Sequence, residues 1–176
     1  MEEIIFVTGN KRKLEEFQEK LGNIKGEDID LIEIQGSAEE IIKHKAKQAF
    51  SIIKKPCIVE DTSFGFKAWN WLPGPYFKTF YEKLGIEGIP GLLKDDKTAK
   101  ATCLIGYAKS EEEIIVVKGE VLGKVVEARN DNGFAFDRIF VADDCEKAFS
   151  EMSVEEKNKL SHRGKAIDEL KKILDL

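Results

Sequence analysis

Three polar residues near the start of the chain have the types and spacing to hold a phosphate group. Thr8, Asn10 and Lys13 follow an apolar run that predicts a buried strand over residues 4–8. Gly9 permits a tight turn, and Asn10 is a favoured N-cap of a helix. The N-terminus of a helix presents unpaired N–H groups to an anion, so this segment predicts a phosphate seat. Many strand–turn–helix junctions bind nothing, which is the structural alternative.

Carboxylates at the ends of two predicted strands have the chemistry of a magnesium site. Glu60 ends a short buried strand that begins at Cys57, Asp61 follows it, and Glu33 closes a strand predicted near residues 30–34. Ligands of open α/β sheets gather at the carboxyl ends of strands. Mg²⁺ takes one or two carboxylates together with phosphate oxygens of a substrate. The structural alternative is that Asp61 only caps a loop.

Two lysines stand out by their positions. Lys45 projects from the apolar stripe of a helix predicted near residues 38–54, although charged residues usually lie on the opposite face. The segment Leu72-Pro73-Gly74-Pro75-Tyr76 stiffens a turn and puts Lys78 in the first turn of a helix. The alternatives are a lysine at the rim of the core, whose head reaches water, and plain rigidity of the loop.

Aromatic and cationic residues in the last third of the chain have the chemistry of a purine site. Phe134 and Phe136 would share a face of an extended segment and can stack on a base, while Asp137 reaches its edge. Two such rings are also common in cores. Hydrogen-bond donors recur near the start of the last helix, at Lys157, Ser161, His162 and Arg163. Three consecutive residues cannot form a serine-protease triad.

These residues require alternating strands and helices to position them, and the sequence supplies such a pattern. It predicts a helix over 11–21, a strand over 57–60, a loop over 61–75, short helices to about 93, paired strands over 99–109 and 114–126, a short strand over 139–141 and a final helix capped by Ser161. The pattern is typical of an α/β fold with a mixed sheet.

Composition narrows the class of protein. A chain of 176 residues predicts a single domain over 1–176. The net charge of −5 disfavours nucleic acid as a partner. No apolar run can span a membrane, and the acidic Met1-Glu2-Glu3 is unlike a signal peptide. Three cysteines without metal-ligand spacing predict reduced, mostly buried thiols in a cytoplasmic protein.

Taken together, the segments resemble the inosine triphosphate pyrophosphatase family nearly from end to end. Six segments carry the resemblance: TGNKRKLEE at 8–16, DLIEIQG at 30–36, VEDTSF at 59–64, LPGPY at 72–76, GFAFD at 133–137 and EMSVEEKNKLSHRGKA at 151–166. The resemblance implies an elongated two-lobed α/β fold around a mixed, twisted sheet, with a nucleotide cleft between the lobes, and a homodimer.

The resemblance also implies a role for each matching residue. The phosphate-binding residues would be Thr8, Asn10, Lys13, Lys45 and Lys78. The acids that serve the metal and the attacking water would be Glu33 and Asp61, with Glu60 beside them. The base-binding residues would be Phe134, Phe136, Asp137, Lys157, Ser161, His162 and Arg163. Phe136 stands where many members have Trp or Tyr, so a stacking surface is kept without a polar ring atom.

The implied reaction is the hydrolysis of ITP, dITP or XTP to the monophosphate and pyrophosphate with Mg²⁺ as cofactor, which removes non-canonical purines from the nucleotide pool. Two alternatives stay open: a less selective pyrophosphatase of other modified triphosphates, and a nucleotide-binding module without activity. The chain has neither a GxxxxGK[ST] motif nor a GxGxxG motif after a strand, which disfavours kinase-like and dehydrogenase-like functions.

Overall fold

The computed structural model describes residues 4–175, and Met1–Glu3, whose acidic character disfavoured a signal peptide, lie outside the described residues. The strands are β1 (Ile4–Val7), β2 (Ile24–Glu27), β3 (Cys57–Phe66), β4 (Pro73–Gly74), β5 (Thr98–Ala108), β6 (Ile114–Val125) and β7 (Phe140–Ala142). The helices are α1 (Lys11–Leu21), α2 (Ala38–Ile53), α3 (Phe77–Leu84), α4 (Val154–Leu160) and α5 (His162–Leu174).

The strands form one mixed sheet of order β2-β1-β3-β5-β6-β7, and β4 pairs with β3 outside this path. β1 runs parallel to β2 and β3, whereas the pairs β3–β5, β5–β6 and β6–β7 are antiparallel. The predicted α/β class with a mixed sheet is therefore confirmed.

One edge of β3 is left open in its middle. β1 pairs with β3 only as far as Ile58, and β4 pairs with it at Phe64 and Gly65. Within the described residues, positions 59–63 of β3 therefore have no strand neighbour on this edge, while β5 pairs with the other edge along its whole length. Since β1 turns into α1 at this point, the open edge faces the helix N-terminus.

Separate hydrophobic cores lie on either side of this gap. Beyond it, Phe64 and Phe66 pack in a core with Phe140 and residues of α3. Before it, Ile58 packs under α1 and α5 on one face of the sheet, and Val59 packs under α2 on the other. The predicted two-lobed arrangement is confirmed, and the polar stretch of β3 lies where the lobes meet.

Local signals located the helices well. The side chain of Asn10 caps α1, and Ser37 with Glu40 forms a capping box at the start of α2. Ser153 begins α4 in the same way, and Ser161 caps α5 by accepting the N–H of Gly164. Each cap satisfies backbone N–H groups that the first helical turn cannot pair internally.

Two strand predictions were wrong. The strand expected near 30–34 lies instead at Ile24–Glu27, where the chain can pair with β1 directly after α1, and residues 28–37 contain neither helix nor strand. β3 does not end at Glu60 but continues to Phe66, so part of the expected loop over 61–75 is strand. The polar residues after Glu60 resemble a loop in sequence, yet pairing with β5 keeps them extended.

The three cysteines are free thiols, with Cys57 and Cys103 buried and Cys145 partly exposed. In the part of the chain that the structure describes, no helix combines the length and the apolar character needed to cross a bilayer.

Candidate active site

A cleft of about 550 Å³ opens along the free edge of β3. Fourteen of the fifteen residues singled out in the sequence line it: Thr8, Asn10, Lys13, Glu33, Lys45, Glu60, Asp61, Lys78, Phe134, Phe136, Asp137, Lys157, His162 and Arg163. Ser161 is the exception, because it is fully buried as the cap of α5.

The turn between β1 and α1 forms one wall of the cleft. The Asn10 amide oxygen accepts the N–H groups of Arg12 at 3.0 Å and Lys13 at 3.2 Å, and the Asn10 N–H donates to the Thr8 hydroxyl. These contacts fix the turn, but they also occupy two of the N–H groups that the helix N-terminus would offer an anion. The positive side chains of this wall are those of Arg12 and Lys13, which both line the cleft.

Glu60 and Asp61 form ion pairs with different lysines, although they are adjacent in sequence. Successive side chains of a strand point to opposite faces. Glu60 follows Ile58 towards α1 and α5, where Lys13 Nζ lies 2.7 Å from its Oε2. Asp61 follows Val59 towards α2, where its Oδ1 accepts a hydrogen bond from Lys45 at 3.1 Å.

The two acids also differ in their affinity for a proton. Burial alone would raise the pKa of Glu60, but Arg163 and Lys13 hold it well below its ordinary value of 4.5. The pKa of Asp61 is raised, because burial outweighs the attraction of Lys45 and Lys13. Glu60 is thus a permanent anion in an ion pair, whereas Asp61 is the stronger base of the two.

Lys45 joins two of the predicted metal-binding acids. Its ammonium donates to Glu33 Oε1 at 2.7 Å and to Asp61 Oδ1 at 3.1 Å. Glu33 lies in the irregular segment 28–37 and not at the end of a strand, but the loop brings it to the same cation. The side chain of Lys45 is only 12% exposed, so its position on the apolar stripe of α2 places the charge inside the cleft.

The base-binding segment differs from the extended form considered in the sequence. Residues 135–138 form a 3₁₀ turn, so Phe134 and Phe136 do not share a face. Phe136 is buried and stacks on Phe64, with ring centroids 4.2 Å apart and planes 6° from parallel. Phe134 is 44% exposed, so it is the ring with a free surface at the cleft. Asp137 fixes the turn by accepting the Phe134 N–H at 3.0 Å.

His162 is the most unusual side chain of the cleft. It is 1% exposed, it lies between the rings of Phe136 and Phe149, and neither of its ring nitrogens has a hydrogen-bond partner among the described residues. Burial lowers its pKa well below 6.5, and the cations Arg163 and Lys157 lower it further. A neutral imidazole with one donor and one acceptor is therefore available to a bound ligand.

We expect the buried His162 to make the protein less stable in weak acid. Below pH 6.5 the unfolded chain takes up a proton at this histidine and the folded protein does not, so the free energy of unfolding must fall. The loss between pH 7.5 and 5.5 should be about 1.4 kcal/mol. Denaturant titrations of the wild type and of His162→Gln measure it. An equal loss in both proteins would contradict the assignment, because the variant keeps Asp61 and every other titrating group.

Arg163 lies deep in the cleft and binds two acids. Its Nη1 donates to Glu16 Oε2 at 2.6 Å, and its Nη2 donates to Glu60 Oε1 at 3.3 Å and to the Thr62 hydroxyl at 3.2 Å. Its Nε is buried without a partner within residues 4–175. The Nε–H is thus a buried donor that is left for a ligand.

Glu16 is a functional candidate that the sequence analysis missed. It is buried, and it accepts hydrogen bonds from both Arg163 and Lys157, the latter at 3.0 Å. Lys157 also donates to Asp137 at 2.8 Å. A continuous chain of ion pairs, which we name the charge chain, therefore crosses the cleft floor through Asp137, Lys157, Glu16, Arg163, Glu60 and Lys13.

Nothing local in the sequence identified Glu16. It lies within the TGNKRKLEE segment but looks like an ordinary solvated acid of a helix, and its partners are 141 and 147 residues away. Thr62, whose hydroxyl donates to Glu60, was considered only as part of a loop. Thr62 pairs with Cys103 on β5, because β3 extends beyond the end that the sequence predicted.

The charges of the cleft fit a divalent cation. Six cationic and seven anionic side chains line it, so the lining alone does not neutralise a polyphosphate. Glu33 and Asp61 already converge on one positive group, the Lys45 ammonium, and carboxylate oxygens are the donors that Mg²⁺ prefers. No cage of three or more acidic, His or Cys side chains exists within residues 4–175. An ion held here would therefore need further oxygen ligands, from the substrate or from water.

Comparisons with known proteins show which family this chain resembles. The inosine triphosphate pyrophosphatase of Phaeosphaeria nodorum is 44% identical over 175 residues, which cover 96% of this chain and 92% of that protein. The inosine triphosphate pyrophosphatase of Scheffersomyces stipitis is 40% identical over 191 residues, which cover 99% and 98% of the two chains. The family resemblance inferred from the six segments is thereby confirmed.

The fold has solved counterparts as well. The structure of a HAM1 protein from Coxiella burnetii superimposes with a TM-score of 0.83 at 26% identity and covers 99% of each chain. Residues 4–173 match the Ham1 family. Because this match spans both lobes and the cleft between them, the chain belongs to the Ham1 family.

Proposed function

We propose that this protein hydrolyses non-canonical purine nucleoside triphosphates, namely ITP, dITP and XTP, to the monophosphate and pyrophosphate. The observation that carries the proposal is a single cleft in which lysines, acids and an unpaired buried histidine lie together. The names of the two relatives from P. nodorum and S. stipitis support the substrate class.

The phosphate chain would bind to the ammonium groups of Lys13, Lys45 and Lys78 and to the turn at Thr8 and Asn10. Lys13 and Lys45 reach the cleft from α1 and α2 in one lobe, and Lys78 reaches it from α3 on the other side. A polyanion between the lobes is thus contacted by cations from both.

Mg²⁺ would be held by Glu33 and Asp61, whose carboxylates already share a cation. When bound there with the substrate's own oxygens, the ion supplies charge neutralisation and polarises the phosphorus that is attacked. A magnesium requirement is the finer part of the proposal, and removal of the ion by a chelator tests it.

Asp61 would orient the water that attacks the α-phosphorus, and Glu60 would support it from the other face of the sheet. The raised pKa of Asp61 suits a group that accepts a proton from water. Glu60 is already paired with Lys13 and Arg163, so its part is to hold these cations in place. No covalent intermediate on the protein is needed.

The base would lie against Phe134 with its six-position towards His162 and Arg163, while Lys157, Asp137, Phe136 and Ser161 shape the surroundings. Hypoxanthine and xanthine carry an oxygen at this position, which accepts a hydrogen bond from the free Nε–H of Arg163. Adenine carries an amino group there, which would face a donor. A hydrogen-bonding site can reject an analogue of the wrong polarity by about 10⁴-fold.

A panel of triphosphates tests the proposal directly. We expect rapid release of pyrophosphate from ITP, dITP and XTP, weak release from GTP and an about 10⁴-fold lower kcat/KM for ATP. Each substrate is assayed with Mg²⁺ and with a chelator, and pyrophosphate is scored separately from orthophosphate.

The outcomes of the panel separate the alternatives. Equal rates on ATP and ITP would overturn the base-reading scheme and favour a less selective pyrophosphatase. Orthophosphate as the only product would move the attack away from the α-phosphorus. Binding without any turnover would favour a nucleotide-binding module.

We further propose that the enzyme acts as one catalytic domain in a cytoplasmic homodimer, without nucleic acid or membrane partners. The continuous sheet supports the single domain, and the free thiols support a reducing compartment. A second groove on the sheet carries Trp71, Lys100, Lys118 and Glu120, and Lys100 lies 4.5 Å from the Trp71 ring. Charges of both signs beside an aromatic ring suit contact with a second copy about a twofold axis.

A further inference from the structure

We infer that Tyr76 is a positioning residue that ties the two sides of the cleft together and thereby sets the spacing of its phosphate-binding groups. The Tyr76 hydroxyl accepts the N–H of Gly36 at 3.1 Å and donates to the carbonyl oxygen of Gly36, also at 3.1 Å. We call this pair of hydrogen bonds the latch. The inference deepens the proposed function, since it concerns the same phosphate-binding cleft.

The latch connects segments that come from different lobes. Gly36 belongs to the irregular segment 28–37, which carries Glu33 and leads into α2. Tyr76 immediately precedes α3, which carries Lys78 into the cleft. The two ends of the latch are 40 residues apart in sequence.

Other contacts of segment 28–37 lead back to α2. The Ile32 N–H donates to the Gln48 side chain at 2.8 Å, and Glu33 accepts from Lys45. The Ser37 side chain pairs with Glu40 in the capping box. All of these hydrogen bonds lie within the described part of the chain. The two to Tyr76 lead to α3, and the others lead to α2. Loss of the latch would remove the hydrogen bonds that join this segment to the start of α3.

Groups on both sides of the latch act on the same space. Glu33 lies three residues before Gly36, and Lys78 lies two residues after Tyr76. Both residues line the same cleft. The latch joins the two segments that carry them.

Tyr76 does not itself line the cleft, whereas its neighbours Pro75, Phe77 and Lys78 do. It is half exposed, at 46%, so its ring contributes little to a core. The hydroxyl is therefore the part of the side chain that the fold uses, and it acts on the substrate only through the backbone that it holds.

Tyr76→Phe removes the latch and keeps the ring, and Tyr107→Phe makes the same change on β5, away from the cleft. The first readout is the dissociation constant of inorganic tripolyphosphate, measured by calorimetry in the presence of a chelator. The second is the hydrogen-exchange rate of the Gly36 amide, measured by NMR. We expect Tyr76→Phe to weaken tripolyphosphate about three- to tenfold, the size of one modest hydrogen bond, and to speed the Gly36 exchange.

The result that supports the latch is both changes in Tyr76→Phe and neither in Tyr107→Phe. Faster Gly36 exchange with unchanged tripolyphosphate affinity would overturn the positioning role, as would the absence of any tripolyphosphate binding to the wild type. Failure of the proposed function is distinguishable, because it appears as wild-type protein that binds tripolyphosphate but releases pyrophosphate from no nucleotide. In that case the two latch readouts still decide the inference.

Discussion

Replacing Asp61 with asparagine is expected to lower kcat for ITP hydrolysis by about 10²- to 10⁴-fold, the usual contribution of a group that takes part in proton transfer. The asparagine side chain would keep the shape of the aspartate and a hydrogen-bond acceptor for Lys45, but it cannot accept a proton from the attacking water. It also lacks the negative charge that Glu33 and Asp61 present together. Steady-state assays over a range of Mg²⁺ concentrations measure both effects.

Matched variants make the Asp61 result interpretable. Asp143→Asn is the same chemical change at an exposed position after β7, and it should leave kcat within about twofold of the wild type. Glu60→Gln should act differently from Asp61→Asn, because it releases Lys13 and Arg163 and so raises KM as well. An Asp61→Asn enzyme with near-normal turnover and normal magnesium dependence would show that Asp61 does not orient the water.

The acid limb of the pH profile offers a second test of the same residue. Burial raises the pKa of Asp61, so the active, ionised form is lost at a higher pH than for an ordinary aspartate. Glu60 is ionised throughout this range, because its pKa is lowered by Arg163 and Lys13. Of these two adjacent acids, only Asp61 therefore contributes to the acid limb.

The elements that the sequence predicted correctly are those determined by local signals. Asn10, Ser37 and Ser161 mark helix starts with side-chain chemistry that acts within three residues, and α1, α2 and α5 begin where these residues stand. The long hairpin of β5 and β6 was predicted for a similar reason, since both strands carry long apolar runs joined by a polar turn.

The elements that the sequence predicted wrongly depend on distant partners. Residues 24–27 become β2 because they meet β1, although only Ile24 among them is apolar. Ile29 and Leu31 look like a strand but pack as a loop against the core under α2. The polar residues after Glu60 stay extended because β5 pairs with them. A local pattern contains none of this information.

The candidate site shows the same division. Fourteen residues found through ordered motifs line one cleft, so the motifs located the site as a whole. The partners within it could not be predicted: alternation along β3 sends Glu60 and Asp61 to opposite faces, and the 3₁₀ turn separates Phe134 from Phe136. Glu16 was missed because its importance arises only when α4 and α5 bring their cations to α1.

Loss of Glu16 should strongly reduce the stability of the protein. In Glu16→Gln the buried Arg163 and Lys157 lose the anion between them, and breaking a buried ion pair by removing one partner costs about 3 to 5 kcal/mol. The remaining partners Glu60 and Asp137 still hold one cation each, so we expect the lower end of this range. Denaturant titration at pH 7 measures the change in the free energy of unfolding.

Glu15→Gln is the matched control for this variant, because it makes the same change one residue away on the exposed face of α1 and should alter stability by less than about 0.5 kcal/mol.

The pH dependence of the free energy of unfolding distinguishes an effect of the Glu16 charge from an effect of packing. Cations Arg163 and Lys157 lower the pKa of Glu16 below 4.5 in the folded protein against the effect of burial, so its stabilisation is full above that pH and is lost as the pH falls. The gap between wild type and Glu16→Gln should therefore narrow in acid. A difference in the free energy of unfolding that stays constant down to the acid transition would mean that Glu16 acts through its shape. In that case ion pairing along the charge chain would not be what connects the base side of the cleft to Lys13.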